Sequence, residues 1–514
     1  MHDLLHDPLI SVRLPHGDTR LNLPELLAAL ARGEVLAYTR LRRHQTDPFH
    51  VFTVQLAASI LARRGLAEPP DAPHFWRDGL LELAEGQASA WHLVEADPTK
   101  PAFMQSPCPT VEDFAAYKPR ATSPDELDVL VTAKDHDVKM ARGAGQDVEL
   151  WLAVLVSYQT LSGFLGAGNY GIVRMNGGFA SRAMLFTVRD PTPGPRFLEE
   201  LPIVLNARTE AIDAGFGYRD AGTVLTWLTP WNGQNHQLAM DQCEPFFIEA
   251  PRRLRLGISS NGIQASAATS AKRQIGGPDN GDCGDPWTTL NVEDKKKGAS
   301  ALTVSGQGFT PKLLTDLIFQ RGYRLTPLQQ ARPGTGATRF CASVLVRGQG
   351  KTDGFHAVEI TIPERARFAL LQPAQRDSLA QTAQEWLKDT ANGAKCLRAA
   401  LMALAEGGPA ETDFGKDTIA RWAETRQQDY VLAWQDDYFP SLWLAAEPDA
   451  DLTRLRADWA GKLISLARRV LDMAEQTLPI PAARRLRARV RAEGLLENLF
   501  RKHGLADLAK GGNP

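Results

Sequence analysis

Residues 166–171, with the sequence GAGNYG, match the G-x-G-x-x-G pattern of dinucleotide-binding proteins. That pattern holds a pyrophosphate only where it follows a strand and opens a helix, because the helix N-terminus must face the phosphates. Here the preceding segment has a helical pattern, and the following segment, IVRMNGGF, has none. The sequence therefore favours a glycine loop whose bare backbone lets another chain approach closely.

A second glycine-rich segment, RGQGKTDG at 347–354, is similar to a phosphate-binding Walker A loop. The pattern requires a further glycine five residues before Gly350, and Leu345 stands there. We therefore expect a β-hairpin with a solvated turn rather than a nucleotide site.

Metal-ligating residue types occur at Asp135, His136 and Asp137. Adjacent side chains of an extended chain point to opposite sides, so three consecutive ligands rarely converge on one ion. We therefore expect a polar loop there, with no metal centre and no cofactor. A free-standing metal-dependent nuclease or hydrolase that uses these residues is the alternative hypothesis. Other candidate ligands are His44, His50, His236 and His356.

Catalytic nucleophile motifs are missing as well. The sequence contains no G-x-S-x-G elbow, and its five cysteines form no C-x-x-C pair. Sparse, unpaired cysteines are typical of a reducing compartment. With neither a signal peptide nor a long apolar stretch, the chain is expected to be cytoplasmic and not bound to a membrane.

Three groups of basic residues could bind phosphates. The first is Lys272 with Arg273, and the second is Lys295, Lys296 and Lys297. The third is the segment 481–514, with eight Lys or Arg against three Asp or Glu. The whole chain carries 58 basic and 60 acidic residues, so it lacks the basic excess of an independent DNA binder. A nucleic-acid role must therefore rest on local patches or on partner subunits.

The elements that would position these residues fall into two regions of the 514-residue chain. From 1 to 368 we expect an irregular mixed α/β domain, with a helix starting at Asp47–Pro48, a buried helix at 148–163 and β-rich runs that include RFLEELPIVL. From 369 to 514 the apolar spacing predicts four amphipathic helices, at about 373–406, 412–435, 451–477 and 482–506. The fold class is thus α+β, with a C-terminal four-helix bundle.

Several segments, taken in order, are similar to those of a known family. They are LLHDPLISVRLPHGDTRLNLPELLA near the start, PAFMQ at 101–105, the glycine loop, TWLTPW at 226–231 and DPWTTLNVEDKKKG at 285–298. Together they resemble the CasA family, the large subunit of the type I-E CRISPR complex Cascade.

The resemblance implies a DNA-binding subunit without catalysis. Such a subunit recognises the protospacer-adjacent motif in target double-stranded DNA and wedges the duplex open. It also helps to recruit a helicase–nuclease. Its other partners would be the crRNA-bearing subunits and one end of the crRNA, while base pairing with the guide supplies most of the specificity. Recognition from the minor groove, whose code is degenerate, would tolerate several related motifs.

The resemblance also assigns residues to these roles. The loop at 135–147 would contact the guide RNA. The chain lacks the cysteine pairs that some members carry, and its wedge segment has an aromatic residue where the family has amide side chains. The implied residues are Gly168, Asn169, Lys272 and Arg273 for the motif, Phe340, Cys341 and Ala342 within 339–343 for the wedge, and Lys295, Lys296 and Lys297 for the DNA backbone.

Overall fold

The computed structural model describes residues 2–131, 147–177, 181–293, 298–348, 351–408, 412–413, 417–478 and 482–511. Its architecture is α+β, as the sequence predicts. The helices are α1 Leu23–Ala31, α2 Arg43–Arg63, α3 Pro73–Leu83, α4 Val148–Thr160, α5 Pro193–Asp213, α6 Pro311–Ile318, α7 Glu364–Leu371, α8 Pro373–Ala405, α9 Asp417–Trp443, α10 Leu452–Thr477, α11 Ala482–Lys502 and α12 Leu505–Leu508.

The strands form small sheets of two or three members. Most of them pair in antiparallel fashion, but two pairs are parallel: Thr223–Leu225 with Cys243–Ile248, and Leu238–Ala239 with Ile275–Gly276. The strands are β1 Ile10–Leu14, β2 Gly17–Leu21, β3 Ala37–Tyr38, β4 Lys118–Ala121, β5 Met184–Val188, β6 Thr223–Leu225, β7 Leu238–Ala239, β8 Cys243–Ile248, β9 Arg253–Ser259, β10 Gly262–Ala268, β11 Ile275–Gly276, β12 Leu290–Asn291, β13 Ser300–Ala301, β14 Tyr323–Arg324, β15 Thr338–Gly348 and β16 Lys351–Ile362.

Contacts within the chain divide it into two compact units. The first comprises Met1–Thr310, Gln320–Gln330 and Thr338–Glu359. The second comprises Pro311–Phe319, Ala331–Ala337 and Ile360–Pro514. The second unit therefore includes two short segments that come well before its long helices in the sequence.

The core of the first unit is built around α1, α2 and α4. Helix α4 is buried on nearly every side, as its continuous apolar sequence predicts. Next to it, Trp227 makes edge-to-face contacts with Trp91 and Phe103, at ring-centroid distances of 6.2 and 6.0 Å. These contacts pack three buried rings against one another in the core of the first unit.

Two local predictions for this unit are wrong. Helix α2 begins at Arg43, so Asp47 and Pro48 lie inside its first turns instead of starting it. Pro48 is the sixth residue of α2, so its missing N–H removes the helical bond to the His44 carbonyl, and the helix continues despite this loss. The run RFLEELPIVL forms the middle of α5, because every third or fourth residue, Phe197, Leu201 and Val204, is buried on one face.

The second unit contains the predicted four-helix bundle, formed by α8, α9, α10 and α11. Trp386 of α8 stacks on Trp459 of α10 at 5.3 Å between centroids. Trp434 and Tyr438 of α9 meet Trp459 edge to face, so one aromatic cluster joins three of the helices. None of the helices in the described ranges offers the length of apolar sequence that crossing a bilayer requires.

Candidate nucleic-acid interface

The glycine loop follows directly on α4 and is held there by Arg252. This buried guanidinium donates to the carbonyls of Tyr158 and Gly163, and to that of Ser162 at 2.7 Å. These carbonyls lie at or just after the C-terminal end of α4, where the helix itself provides no N–H to bond them. Residues 172–177, which come next, form turns and irregular backbone, whereas a dinucleotide site requires a helix to begin directly after the glycines.

A second loop, residues 269–273, carries the predicted Lys272 and Arg273 and lies beside the first. Its start is held by Arg253, whose guanidinium donates to the Thr269 carbonyl at 3.1 Å. Its middle is held by Gly233, whose carbonyl accepts the Ala271 N–H at 2.7 Å. Arg252 and Arg253 are neighbours at the start of β9, so one short segment supports both loops.

The two loops are bonded to each other. The Gly168 carbonyl accepts the Ser270 N–H at 3.0 Å and the Ser270 hydroxyl at 3.2 Å, and the Tyr170 hydroxyl donates to the Ala271 carbonyl at 3.3 Å. Gly168 has a φ of +79°, and a Cβ placed on it would lie 2.5 Å from the Cβ of Thr269. Both the turn and the close approach of the loops therefore require glycine at this position.

A cleft of about 630 Å³ opens between the loops. Tyr170 and Gly171 line it from one side, and Lys272 and Arg273 line it from the other. The Lys272 side chain is exposed, and so is His236, whose Nδ1 lies 2.9 Å from the Arg273 carbonyl oxygen. The structure thus brings together the glycine loop and the basic pair, although about a hundred residues separate them in the sequence.

A buried ionisable group, Glu249, lies beneath the cleft. Both carboxylate oxygens of Glu249 accept the N–H of Val173, at 2.9 and 3.0 Å, and the Arg174 guanidinium lies 3.7 Å away. Burial of the Glu249 carboxyl raises its pKa to about 7, although Arg174 and Arg273 act in the opposite direction. This carboxylate holds the backbone that continues from the glycine loop.

The wedge prediction is wrong at its three residues. Phe340, Cys341 and Ala342 lie in β15, which pairs with β5 on one side and with β16 on the other. Their exposed fractions are 1%, 6% and 2%. Apolar residues on both faces of a central strand are expected to be buried, and such a side chain cannot enter DNA without leaving the core.

Other predicted positions fall outside the described residues. These are Lys295, Lys296 and Lys297, together with Asp135, His136, Asp137 and Gln349–Gly350 between β15 and β16. Of the remaining histidines, His44 lies 2.9 Å from a carboxylate oxygen of Asp128, and His50 lies 3.2 Å from Glu200. Within the described ranges, no three His, Cys, Asp or Glu side chains converge as a metal site would require.

Sequence reasoning missed the residues that hold the cleft together. Arg252 and Arg253 stand in the run PRRLRLG, which looks like an exposed basic segment, yet both side chains are buried against backbone carbonyls. The alternation of arginine with leucine from Arg253 onward indicates a strand, but it does not show that these arginines are buried.

Comparison of the sequence with family models and with curated proteins gave no match.

Comparison with solved structures gave matches over almost the whole chain. CasA from Thermus thermophilus is 15% identical, with a TM-score of 0.64 over 97% of this chain and 99% of that one. The CRISPR-associated protein Cse1 from Acidimicrobium ferrooxidans is 16% identical, with a TM-score of 0.63 over 100% and 99%. Thermobifida fusca Cse1 is 14% identical, with a TM-score of 0.64 over 98% of each chain. The resemblance seen in the sequence is thus confirmed at the level of architecture, and the chain has the CasA (Cse1) fold.

Proposed function

We propose that this chain is the non-catalytic, DNA-binding large subunit of a type I-E CRISPR Cascade complex. In this role it recognises a short motif next to the target sequence in double-stranded DNA. The crRNA carried by the other subunits reads the target itself, and a helicase–nuclease is recruited afterwards. The observation that supports the proposal most strongly is the cleft shared by the glycine loop and the Lys272–Arg273 pair.

The cleft has the properties that minor-groove binding demands. The glycine loop presents backbone without side-chain bulk, so a duplex can come close to it. Lys272 offers an exposed ammonium beside that backbone. A lysine in the minor groove donates to the acceptors that A·T and T·A pairs share, so it supports a relaxed motif rather than a unique one. The near-neutral net charge of the chain fits a subunit whose partners supply part of the contact with the DNA backbone.

The opening of the duplex has no assigned residue in this proposal, because the predicted wedge lies in the core. Lys295, Lys296 and Lys297 keep their proposed role along the DNA backbone. The guide-RNA contact at 135–147 likewise remains a proposal from the sequence.

A binding assay with the reconstituted crRNA-bearing complex tests the proposal. The assay measures binding of guide-matched duplexes with a randomised adjacent motif. It compares the complex with the wild-type chain, without the chain, and with the K272A/R273A variant. We expect the variant to lose motif preference, and the slope of log affinity against log salt to fall by about one to two.

The matched control is R77A/K100A, which removes one arginine and one lysine, both exposed, elsewhere in the first unit. Equal binding of target DNA with and without the chain, or equal effects of the two double variants, would refute the proposal.

A further inference from the structure

An acidic side chain occupies the cleft that we propose for DNA. Among the described residues that line the cleft, Asp279 is the acidic one, and its carboxylate forms an ion pair with the Arg273 guanidinium. The Asp279 side chain is 91% exposed and that of Arg273 is 18% exposed. The carboxylate therefore lies on the solvent side of the guanidinium, where a phosphate would have to approach.

The backbone around Asp279 is fixed, so this pairing is a built feature of the cleft. The Asp279 carbonyl accepts the Gly177 N–H at 2.7 Å, and a Cβ on Gly177 would lie 3.0 Å from that oxygen. The next residue, Asn280, accepts the Ala301 N–H at 2.7 Å and donates its side-chain amide to the Ala299 carbonyl at 2.8 Å. These bonds fix the backbone of Asp279 and Asn280 next to the cleft.

The remaining charges around Arg273 do not replace this contact. Lys272, on the same loop, is a cation, and His236 approaches the Arg273 carbonyl rather than the guanidinium. Glu249 acts on Arg273 electrostatically from beneath the cleft, but it is buried and bonded to Val173. The exposed carboxylate that competes with an incoming phosphate is therefore that of Asp279.

We propose that the Asp279–Arg273 ion pair is an autoinhibitory contact that weakens the capture of DNA phosphates in the cleft. The inference rests on the proposed function, because it assumes that DNA enters there. DNA must displace the carboxylate from Arg273 before a phosphate can pair with the guanidinium. This lowers the affinity for any duplex, whatever its sequence, and so shortens the time that the subunit spends on DNA without a motif.

The test compares D279N with the wild-type chain in the reconstituted complex. The probe is a labelled duplex with no match to the guide. An exposed ion pair contributes about 0.2–1 kcal/mol, so its removal should raise the affinity by about 1.4- to 5-fold. In the R273A background, D279N should bring no gain, because the guanidinium that it releases is missing. D18N is the matched control, since Asp18 pairs with Arg13 on an exposed hairpin and its loss changes the net charge equally.

Two results would overturn the inference. One is an affinity of D279N equal to that of D18N, and the other is a gain that persists in the R273A background. A K272A variant separates this failure from failure of the proposed function. Weakened binding in K272A with no gain in D279N removes the inference alone, whereas unchanged binding in K272A and R273A removes the proposed function itself.

Discussion

At the scale of single residues, Gly168 determines whether the two loops of the cleft can meet. An alanine there would need the strained positive φ, and its Cβ would overlap with Thr269. We expect G168A to destabilise the loop by about 1–3 kcal/mol and to reduce motif-dependent DNA binding by at least 10-fold.

The measurement is the motif-binding assay combined with thermal unfolding of the chain. G65A is the control, because Gly65 also has a positive φ, +62°, but has open space around its Cβ position. If G168A retained wild-type motif binding, the close contact between the loops would not matter for function.

Glu249 should make stability depend on pH. Its folded pKa of about 7 lies above its ordinary value of 4.5, so the folded state binds the proton more tightly than the unfolded state between these values. Stability should therefore fall as the pH rises through that window, by at most about 3 kcal/mol. In E249Q the fall should disappear.

Urea unfolding of both proteins from pH 4 to 8 measures this difference. Glu200, whose pKa is lowered to about 2, contributes stability that is lost as the pH falls from its ordinary value of 4.5 toward 2, so its effect lies in a different range. Parallel curves for wild type and E249Q between pH 4.5 and 7 would contradict the assignment.

The sequence identified residues that line the cleft, but it did not identify the buried arginines that hold the two loops in place. Glycines in a loop and an adjacent Lys–Arg pair are visible in a sequence because both differ in residue type from the segments around them. A buried arginine such as Arg252 is not visible, since its partners are backbone carbonyls, which every residue possesses. The wedge prediction was wrong for a related reason. The residue type of Phe340 does not show whether the side chain lies on the surface or in the central strand of a sheet.

At the scale of elements, the end of α4 and the start of β9 form one support for the glycine loop. R252K would keep the charge but lose the fork that bonds three carbonyls. We expect it to cost about 1–3 kcal/mol of stability and to increase hydrogen exchange at residues 162–168. Motif binding should weaken in parallel.

R255K is a control on the same strand. Arg255 is also buried among carbonyls, including those of Lys100 and Asp97, but it does not contact the glycine loop. It should lower stability to a similar degree and leave exchange at 162–168 unchanged. Equal exchange in both variants would show that Arg252 does not position the loop.

The regular elements were predictable where one physical signal dominated. The long helices α8 and α10 begin and end within a residue or two of their predicted limits, because their apolar spacing continues for six or more turns. The sequence of α5 is typical of a strand over a short window, because a proline and a cluster of apolar residues interrupt the helical pattern there. The small sheets depend on pairings between distant segments, which no local pattern specifies.

At the scale of the whole molecule, the two compact units do not follow the order of the sequence. Helix α6 lies far ahead of the bundle helices in the sequence, yet its Thr315 hydroxyl contacts the Tyr438 hydroxyl of α9 at 3.3 Å. Phe319, just after α6, meets Trp443 at 6.3 Å between ring centroids. A sequence-based boundary at 368 assigns these residues to the first region, whereas their contacts belong to the bundle.

L317A distinguishes the two descriptions, because Leu317 is fully buried in α6. Loss of this side chain should cost about 2–5 kcal/mol. If contacts define the unit, hydrogen exchange should increase in α8, α9 and α10 and stay unchanged in α1, α2 and α4. L152A, in the buried helix α4, should give the reverse pattern. Local unfolding follows the contacts that stabilise each segment. Faster exchange of α1, α2 and α4 in L317A would therefore mean that α6 unfolds with the region that precedes it in the sequence.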